Sequence, residues 1–388
     1  MPTSTISATT EESPANPDQA VASDAGRTTS TSPGSGLAEA LATGCALVAC
    51  VVARLPGDIV DATGVRAWGL TLMVVVAVVG GARAVARAPF TLRRALQAGP
   101  DRTASLSRWA GSEIKMFAAN VAIGTVMSVP LYTLLRATPA WWFPAWLVFA
   151  SLTVLGQVMM PFALRARRRG PNPAPAALAE RLRRLATTAG VDVGSGVVVA
   201  GRTGGRRCNA YVVGLGPTRR VVLEPALVDW PPELVDQAVA HELGHWRLGH
   251  TARRLPVVLL CQLVTLAAAG VVLSWRPLLT GAGLGSAGDP RSYPLLLVVG
   301  AVLVLPARCL LAWRDRAQER AADGFALTLL GRPDDFVAML DRAAAQSGAP
   351  RHLPWWRRLT AGHPPIDERA AAAACRTGAP TGSSDTGA

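Results

Sequence analysis

The sequence predicts a mostly α multi-pass membrane protein: a transmembrane helical bundle carrying a small cytoplasmic α+β domain. Three observations point there. Half of the 388 residues are hydrophobic and only 17% are charged, a balance too apolar for a water-soluble chain of this size. The apolar residues gather into six runs, near 37–55, 65–82, 114–136, 141–163, 255–275 and 293–313, each close to the ~20 residues that cross a bilayer as a helix. Two hydrophilic segments, 164–254 and 314–388, flank the last pair of runs and are long enough to form a working domain together.

Residues 1–36 are rich in Ser, Thr, Pro, Ala and Gly, have almost no large apolar side chains and carry no signal-peptide pattern, so they read as a disordered tail. Residues 37–163 form an N-terminal transmembrane region of about four helices, of which the second, 65–82, is the shortest. Trp141, Trp142, Trp146, Trp275 and Trp313 lie at or near run ends, as in an aromatic belt. Arginine orients the bundle. Arg83, Arg87, Arg93, Arg94, Arg102 and Arg108 fall between the second and third runs, with Lys115 at the start of the third, and Arg165, Arg167, Arg168 and Arg169 follow the fourth. The loops at 56–66, 137–140 and 276–292 are poor in basic residues. Basic residues are retained inside, so both termini and the working domain are expected on the cytoplasmic face.

Within 164–370, ALAERLRRLATTAG has the spacing of an amphipathic helix, and VVVA, AYVVG and RRVVLE alternate with Gly-rich turns as a small β-meander. DWPPELVDQAVAHELGHWRLGH opens a helix with proline in its first turn, and WRDRAQERAADGFALTLLG is a later helix stopped at Gly331. A transmembrane hairpin at about 255–313 interrupts this domain. Residues 371–388 read as a second disordered tail.

Lys+Arg number 39 against Asp+Glu 26, but Lys115 is the single lysine and span ends account for much of the excess. There is no basic stretch interleaved with stacking aromatics, which argues against a nucleic-acid partner. The arginine, alanine, glycine and proline bias suggests a GC-rich bacterial source. Six cysteines without CxxC or CxxxC spacing exclude a thiolate metal site and a disulfide framework.

His241, Glu242 and His245 form HExxH, which on a helix puts two imidazoles one turn apart on one face with a carboxylate beside them. Five histidines and ten glutamates in this chain would produce that pattern by chance about 0.002 times. Neutral imidazoles suit Zn²⁺, and a catalytic site needs a third protein ligand and one open position. The HExxHxxGxxH pattern fails, because Leu248 and Thr251 stand where glycine and histidine are required. Glu319, in the first helix after the last apolar run, is the expected third ligand, with Asp323 one turn further on the same face. By the 3.6-residue period His250 lies on the far side of the helix from His241 and is read as structural. His352, beside Pro354, Trp355 and Trp356, belongs to an aromatic segment at the membrane surface.

With these residues in hand, the sequence resembles the integral-membrane gluzincins, the type I CAAX prenyl proteases and HtpX-like proteases. Four segments carry the resemblance: NAYVVG at 209–214, AHELGHWRLGHT at 240–251, ERAAD at 319–323 and GHPPIDER at 362–369. It covers about 164–370 and includes the membrane hairpin between HExxH and ERAAD. The family's CAAX branch has seven spans and an enclosed membrane chamber, against six spans here. The resemblance implies a gluzincin domain with one Zn²⁺ per chain on His241, His245 and Glu319, and Glu242 as general base. It also implies that His363 and Arg369 face the site as catalytic residues, stabilising the oxyanion or gripping the substrate. Asp323 is expected to hold the N–H of a ligand imidazole. Asn209 and Ala210 precede a strand that can pair with an extended peptide.

The expected protein is a membrane-embedded zinc metalloendopeptidase of the CAAX-prenyl-protease-like type in a bacterial cytoplasmic membrane, acting on a peptide or membrane-protein substrate. The alternatives are an HtpX-like quality-control protease and a non-catalytic zinc-binding membrane sensor. The short outer loops leave no room for a sensor domain, and the ligands and base are all present.

Overall fold

The structure, a computed structural model, describes residues 33–97, 102–166, 172–194, 196–199, 210–213 and 220–376. In chain order the first elements are α1 (Pro33–Val52), α2 (Leu55–Thr63), α3 (Trp68–Gln97), α4 (Arg102–Ala137) and α5 (Trp142–Ala166). The domain then runs through β1 (Asn172–Pro173), α6 (Ala176–Thr188), β2 (Val197–Val199), β3 (Ala210–Val213), β4 (Arg220–Leu223), α7 (Pro225–Val228) and α8 (Pro232–Arg247). After it come α9 (His250–Ser274), α10 (Arg276–Gly281), a 3₁₀ turn at Pro290–Ser292, α11 (Tyr293–Leu330), α12 (Pro333–Ser347), α13 (Trp355–Arg358) and α14 (Ile366–Ala374).

Apolar runs of this length must satisfy their backbone internally, and the membrane part is helical throughout. Among the described residues, five helices are long and apolar enough to cross a bilayer: α3, Thr103–Ala137 in α4, Trp142–Met159 in α5, α9, and the Pro290–Leu330 stretch that contains α11. The first apolar run differs. It forms α1, bent by 58° from the short α2, so a sixth crossing exists only if this pair is taken as one span. The bend falls at Arg54, whose left-handed φ of 53° cannot continue a right-handed helix. The shortest apolar run, 65–82, forms from Trp68 onward the first half of the 30-residue α3.

The two ends of the bundle are chemically distinct. At one end the loops meet, with Arg291 paired to Asp61 and Arg136 lying 5.3 Å over the Trp68 ring. At the other, Glu39 holds Arg87 at 3.2 Å and Arg94 at 2.6 Å. The aromatic belt is only partly present. Trp275 and Trp313 are exposed, but Trp141 is buried and the Trp146 indole donates to the Leu259 carbonyl at 3.0 Å. Trp142 occupies a notch at Gly270, where a Cβ would come within 2.6 Å of its ring. These three tryptophans tie α5 to α9 rather than marking the interface.

The domain sheet has the order β1-β2-β4-β3, with β2 parallel to β4 and the other pairs antiparallel. This corrects the meander reading, in which β2, β3 and β4 would be successive antiparallel neighbours. Instead β4, buried at Val221, Val222 and Leu223, takes the central place and β3 lies at an edge. Turn spacing alone does not distinguish these orders, because a strand's partner is chosen by which face it buries. The domain core joins α6 (Leu182, Ala186), the sheet, α8 (Val235, Val239, Leu243), the far end of α11 (Ala326, Leu327) and α12 (Phe336, Met339, Leu340).

α11 connects the two parts. Its 38 residues give a rod of about 57 Å, apolar up to Trp313 and polar beyond it. That polar extension packs against α8 where Gly244 faces Ala322. A Cβ on Gly244 would lie 3.3 Å from the Ala322 backbone and 3.1 Å from the Phe325 ring, so the two helices approach as closely as they do only because this side chain is missing. Gly244→Val should therefore lower stability by roughly 1–3 kcal/mol through overpacking. Gly244→Ala should cost less, because removing a helix-interior glycine returns up to about 1 kcal/mol. Melting temperatures in detergent check the order: wild type, then Ala, then Val.

Candidate metal centre and active site

α8 starts with Pro232 in its first turn and Glu233 against the positive end of the helix dipole. Its apolar face, Leu234, Val235, Val239 and Leu243, is buried in the domain core, which fixes its rotation. His241 and His245, four residues apart, then point together at α11. On α11, Glu319 and Asp323 repeat the same spacing, and Ala322 sits between them against Gly244.

The three groups converge. His241 Nε2 is 3.2 Å from His245 Nε2 and 3.6 Å from a Glu319 carboxylate oxygen, while His245 Nε2 is 3.3 Å from the other oxygen of Glu319. Tetrahedral zinc with ligand distances of 2.0–2.1 Å requires ligand–ligand edges of roughly 3.3–3.4 Å. The donor set therefore fits such an ion in both chemistry and size. Among the described residues, this is the group of His, Cys, Asp and Glu side chains arranged to hold a metal ion.

Each imidazole is also held from behind. Asp323 Oδ1 lies 2.9 Å from His241 Nδ1, on the side of the ring away from the Nε2 that faces Glu319 and His245. Arg369 grips the same carboxylate from below with a two-pronged contact, Nε to one oxygen at 2.8 Å and a terminal nitrogen to the other. This guanidinium is 12% exposed and lies 5.9 Å over the Phe336 ring. The sequence reading expected Arg369 to face a substrate. Its fork is instead engaged with Asp323, and its nearest approach to Glu319 is 3.9 Å. His363 does reach the site, with Nδ1 2.9 Å from Glu319 and the side chain open to solvent.

The electrostatics follow from burial opposed by pairing. Desolvation raises the Glu242 carboxyl above its ordinary range, against the pull of the two neighbouring imidazoles. Burial works to lower His245, but the hydrogen bond and charge of Glu319 outweigh it and hold the imidazole above its usual value. His363 is raised first by its hydrogen bond to Glu319. For Arg369, the cost of burial is outweighed by Asp323 and the guanidinium is held above its usual value.

Ala210 opens the edge strand β3, and the Trp246 indole donates to Val212 on the same strand at 2.9 Å, coupling that edge to the HExxH helix. Asn209 lies outside the described residues. Glu242 sits between the two imidazoles in sequence, one residue after His241. A cavity of about 680 Å³ extends from His245, Glu319 and His363 along His250, Leu255 and Val258 of α9 to Thr153 and Gln157 of α5, linking the site to the membrane helices.

Sequence reasoning missed two supports. Arg316 donates to the carbonyls of Arg358 and Ala361 at 2.6 and 2.7 Å, pinning the segment that presents His363. An unbroken helical period places His250 on the far face from His241. The helix ends before that: Gly249 has φ 66° and His250 begins α9, which turns its buried imidazole back onto His245. The signal was Gly249 itself, since glycine just past a helix commonly adopts this left-handed cap. His352, read as part of a surface aromatic segment, pairs with Asp367 at 2.6 Å beside the exposed Trp355.

Three kinds of similarity bear on this arrangement. CAAX prenyl protease 1 homolog of Oryza sativa subsp. japonica is 25% identical over 234 residues, covering 58% of this chain and 54% of that protein. The Arabidopsis thaliana protein of the same description is 27% identical over 199 residues, covering 50% and 46%. The chain spans about half the length of the curated relatives it matches. The crystal structure of S. mikatae Ste24p shares the fold with a TM-score of 0.62 at 15% identity, covering 79% of this chain and 77% of that one. The profile of Peptidase family M48 matches residues 174–377, which contain both helices of the metal centre and amount to more than half of the 388 residues; the chain belongs to that family.

Proposed function

We propose that the protein is a membrane zinc metalloendopeptidase of the CAAX-prenyl-protease-like type, with zinc on His241, His245 and Glu319. The observation that carries this reading is the set of ligand edges, 3.2, 3.3 and 3.6 Å, between two imidazoles and one carboxylate. Zinc, when bound there, supplies a Lewis acid that brings the pKa of water to about 7 and polarises a carbonyl. Glu242 takes the proton of the attacking water and returns it to the leaving amine, and its burial, which favours the protonated carboxyl, suits that second half of the task. Asp323 fixes His241, and Arg369 keeps Asp323 ionised and in place. His363, 2.9 Å from Glu319 and open to solvent, is the group best situated to meet a developing oxyanion.

An extended peptide added to the edge of β3 at Ala210, with Asn209 adjoining, would run past α8 towards the site. The cavity reaching Thr153 and Gln157 supports a peptide or membrane-protein substrate taken from the bilayer rather than from bulk solvent. Residues 164–370 then act as the peptidase domain, interrupted by the α9–α11 membrane hairpin, and 37–163 as the membrane scaffold. The arginine distribution supports both termini and the site on the cytoplasmic face of a bacterial membrane.

Purified protein should contain about one zinc per chain by metal analysis. His241→Ala should lose it and Glu319→Gln should weaken binding. Full retention by Glu319→Gln, together with complete loss in Asp323→Asn, would make Asp323 the third ligand.

Glu242→Gln keeps size and hydrogen bonding but cannot accept the water proton. Zinc should remain while hydrolysis of a casein or membrane-peptide substrate falls by about 10² to 10⁴. Wild-type turnover in zinc-loaded Glu242→Gln protein would refute the assigned base.

Reporter fusions after Arg94, Arg169 and Arg358 should report cytoplasm, and fusions near Asp61, Thr138 and Gly285 the opposite side. An external signal after Arg169 would overturn the orientation.

A further inference from the structure

We infer that His250 is a positioning residue for the metal centre: its Nδ1 accepts the Nδ1–H of His245 and so holds that ligand's Nε2 towards the metal. The inference rests on the zinc reading above and adds a residue to it. His245 Nδ1 and His250 Nδ1 are 2.9 Å apart, and the two rings meet edge to face with centroids 5.0 Å apart and planes at 76°. Proton accounting decides who donates. A neutral imidazole that offers Nε2 to a metal must carry its hydrogen on Nδ1, so the partner nitrogen has to present a lone pair. His250 is then the neutral tautomer with hydrogen on Nε2.

The bland reading of His250, a histidine that merely fills space at the start of a helix, leaves this contact unexplained. His250 is 7% exposed, and the nitrogen that meets His245 is on the edge of that ring away from His241 and Glu319. The same position excludes His250 as a fourth ligand, because it is separated from the metal-facing nitrogens by the His245 ring itself. Gly249 makes the arrangement possible. Its φ of 66° ends α8 and starts α9 within two residues, so a side chain five positions after His245 comes back beneath it.

The two ligand imidazoles are thus held by unlike partners. His241 leans on the anionic Asp323, itself neutralised by Arg369, whereas His245 leans on an uncharged ring. A second carboxylate at this place would add negative charge around the ion, and a neutral acceptor fixes the ligand without doing so.

The test uses full-length protein in detergent and zinc affinity measured by competition with a chromophoric chelator. In His250→Asn the side-chain oxygen is the same number of bonds from Cα as Nδ1 and keeps the acceptor; in His250→Leu a methyl group takes that place. Leu should weaken zinc binding 10- to 100-fold, the usual effect of removing an outer partner of a ligand, and Asn should stay within a few-fold of wild type. In the cobalt-substituted proteins the visible bands should shift in Leu and not in Asn. Melting in excess chelator separates folding from positioning, and His250→Ala replaces Leu if Leu does not fold. Wild-type affinity in the folded Leu or Ala variant would overturn the inference, as would Asn binding as weakly as Leu while both melt like the chelated wild type. Failure of wild type itself to take up zinc would overturn the metal reading and this inference together.

Discussion

The contact between α8 and α11 at Gly244 and Ala322 is the constraint on which the site depends. Two helices separated by an ordinary side chain would hold their histidines and carboxylates too far apart to share one ion. Here the missing Cβ brings the backbones together, and the i, i+4 spacing on both helices does the rest. His241 and His245 meet Glu319 and Asp323 as two facing pairs, one turn each. Because α11 also forms a membrane helix, the same rod that supplies the carboxylates sets the height of the site above the bilayer.

Charge around that contact is arranged in layers. The innermost layer is two imidazoles and a carboxylate. Behind it Asp323 lies against His241, and Arg369 compensates the buried Asp323 carboxylate. A single exposed histidine, His363, approaches Glu319 from the solvent side. Arg316 fixes the segment carrying it through two backbone carbonyls, which makes the position of His363 a consequence of α11 as well.

The membrane helices contribute to the site through a path rather than through ligands. α5 and α9 are joined by Trp142 in the notch at Gly270 and by the Trp146 bond to Leu259. The cavity beside His245 continues between these helices to Thr153 and Gln157, polar residues at a depth where the flanking surface is apolar; Gln262 of α9 donates to Thr153 at 2.8 Å in the same region.

By itself the sequence determined the class of the protein and singled out the residues of the candidate metal centre. Both are legible because they depend on local properties: apolar run length against bilayer thickness, and helical spacing within HExxH and ERAAD. It also made Glu319 the candidate third ligand, since a carboxylate on the first helix past the hairpin was what the chemistry required. Tertiary structure decided what depends on partners distant in the chain. The sheet order, with β4 between β2 and β3, follows from which strand is buried on both sides, and turn spacing carries no record of that. The engagement of Arg369 with Asp323, 46 residues away, is set by how α14 docks on α11. His250 is the sharpest case. A periodic reading put it on the wrong face because periodicity assumes an unbroken helix, and one glycine with a left-handed backbone removed that assumption.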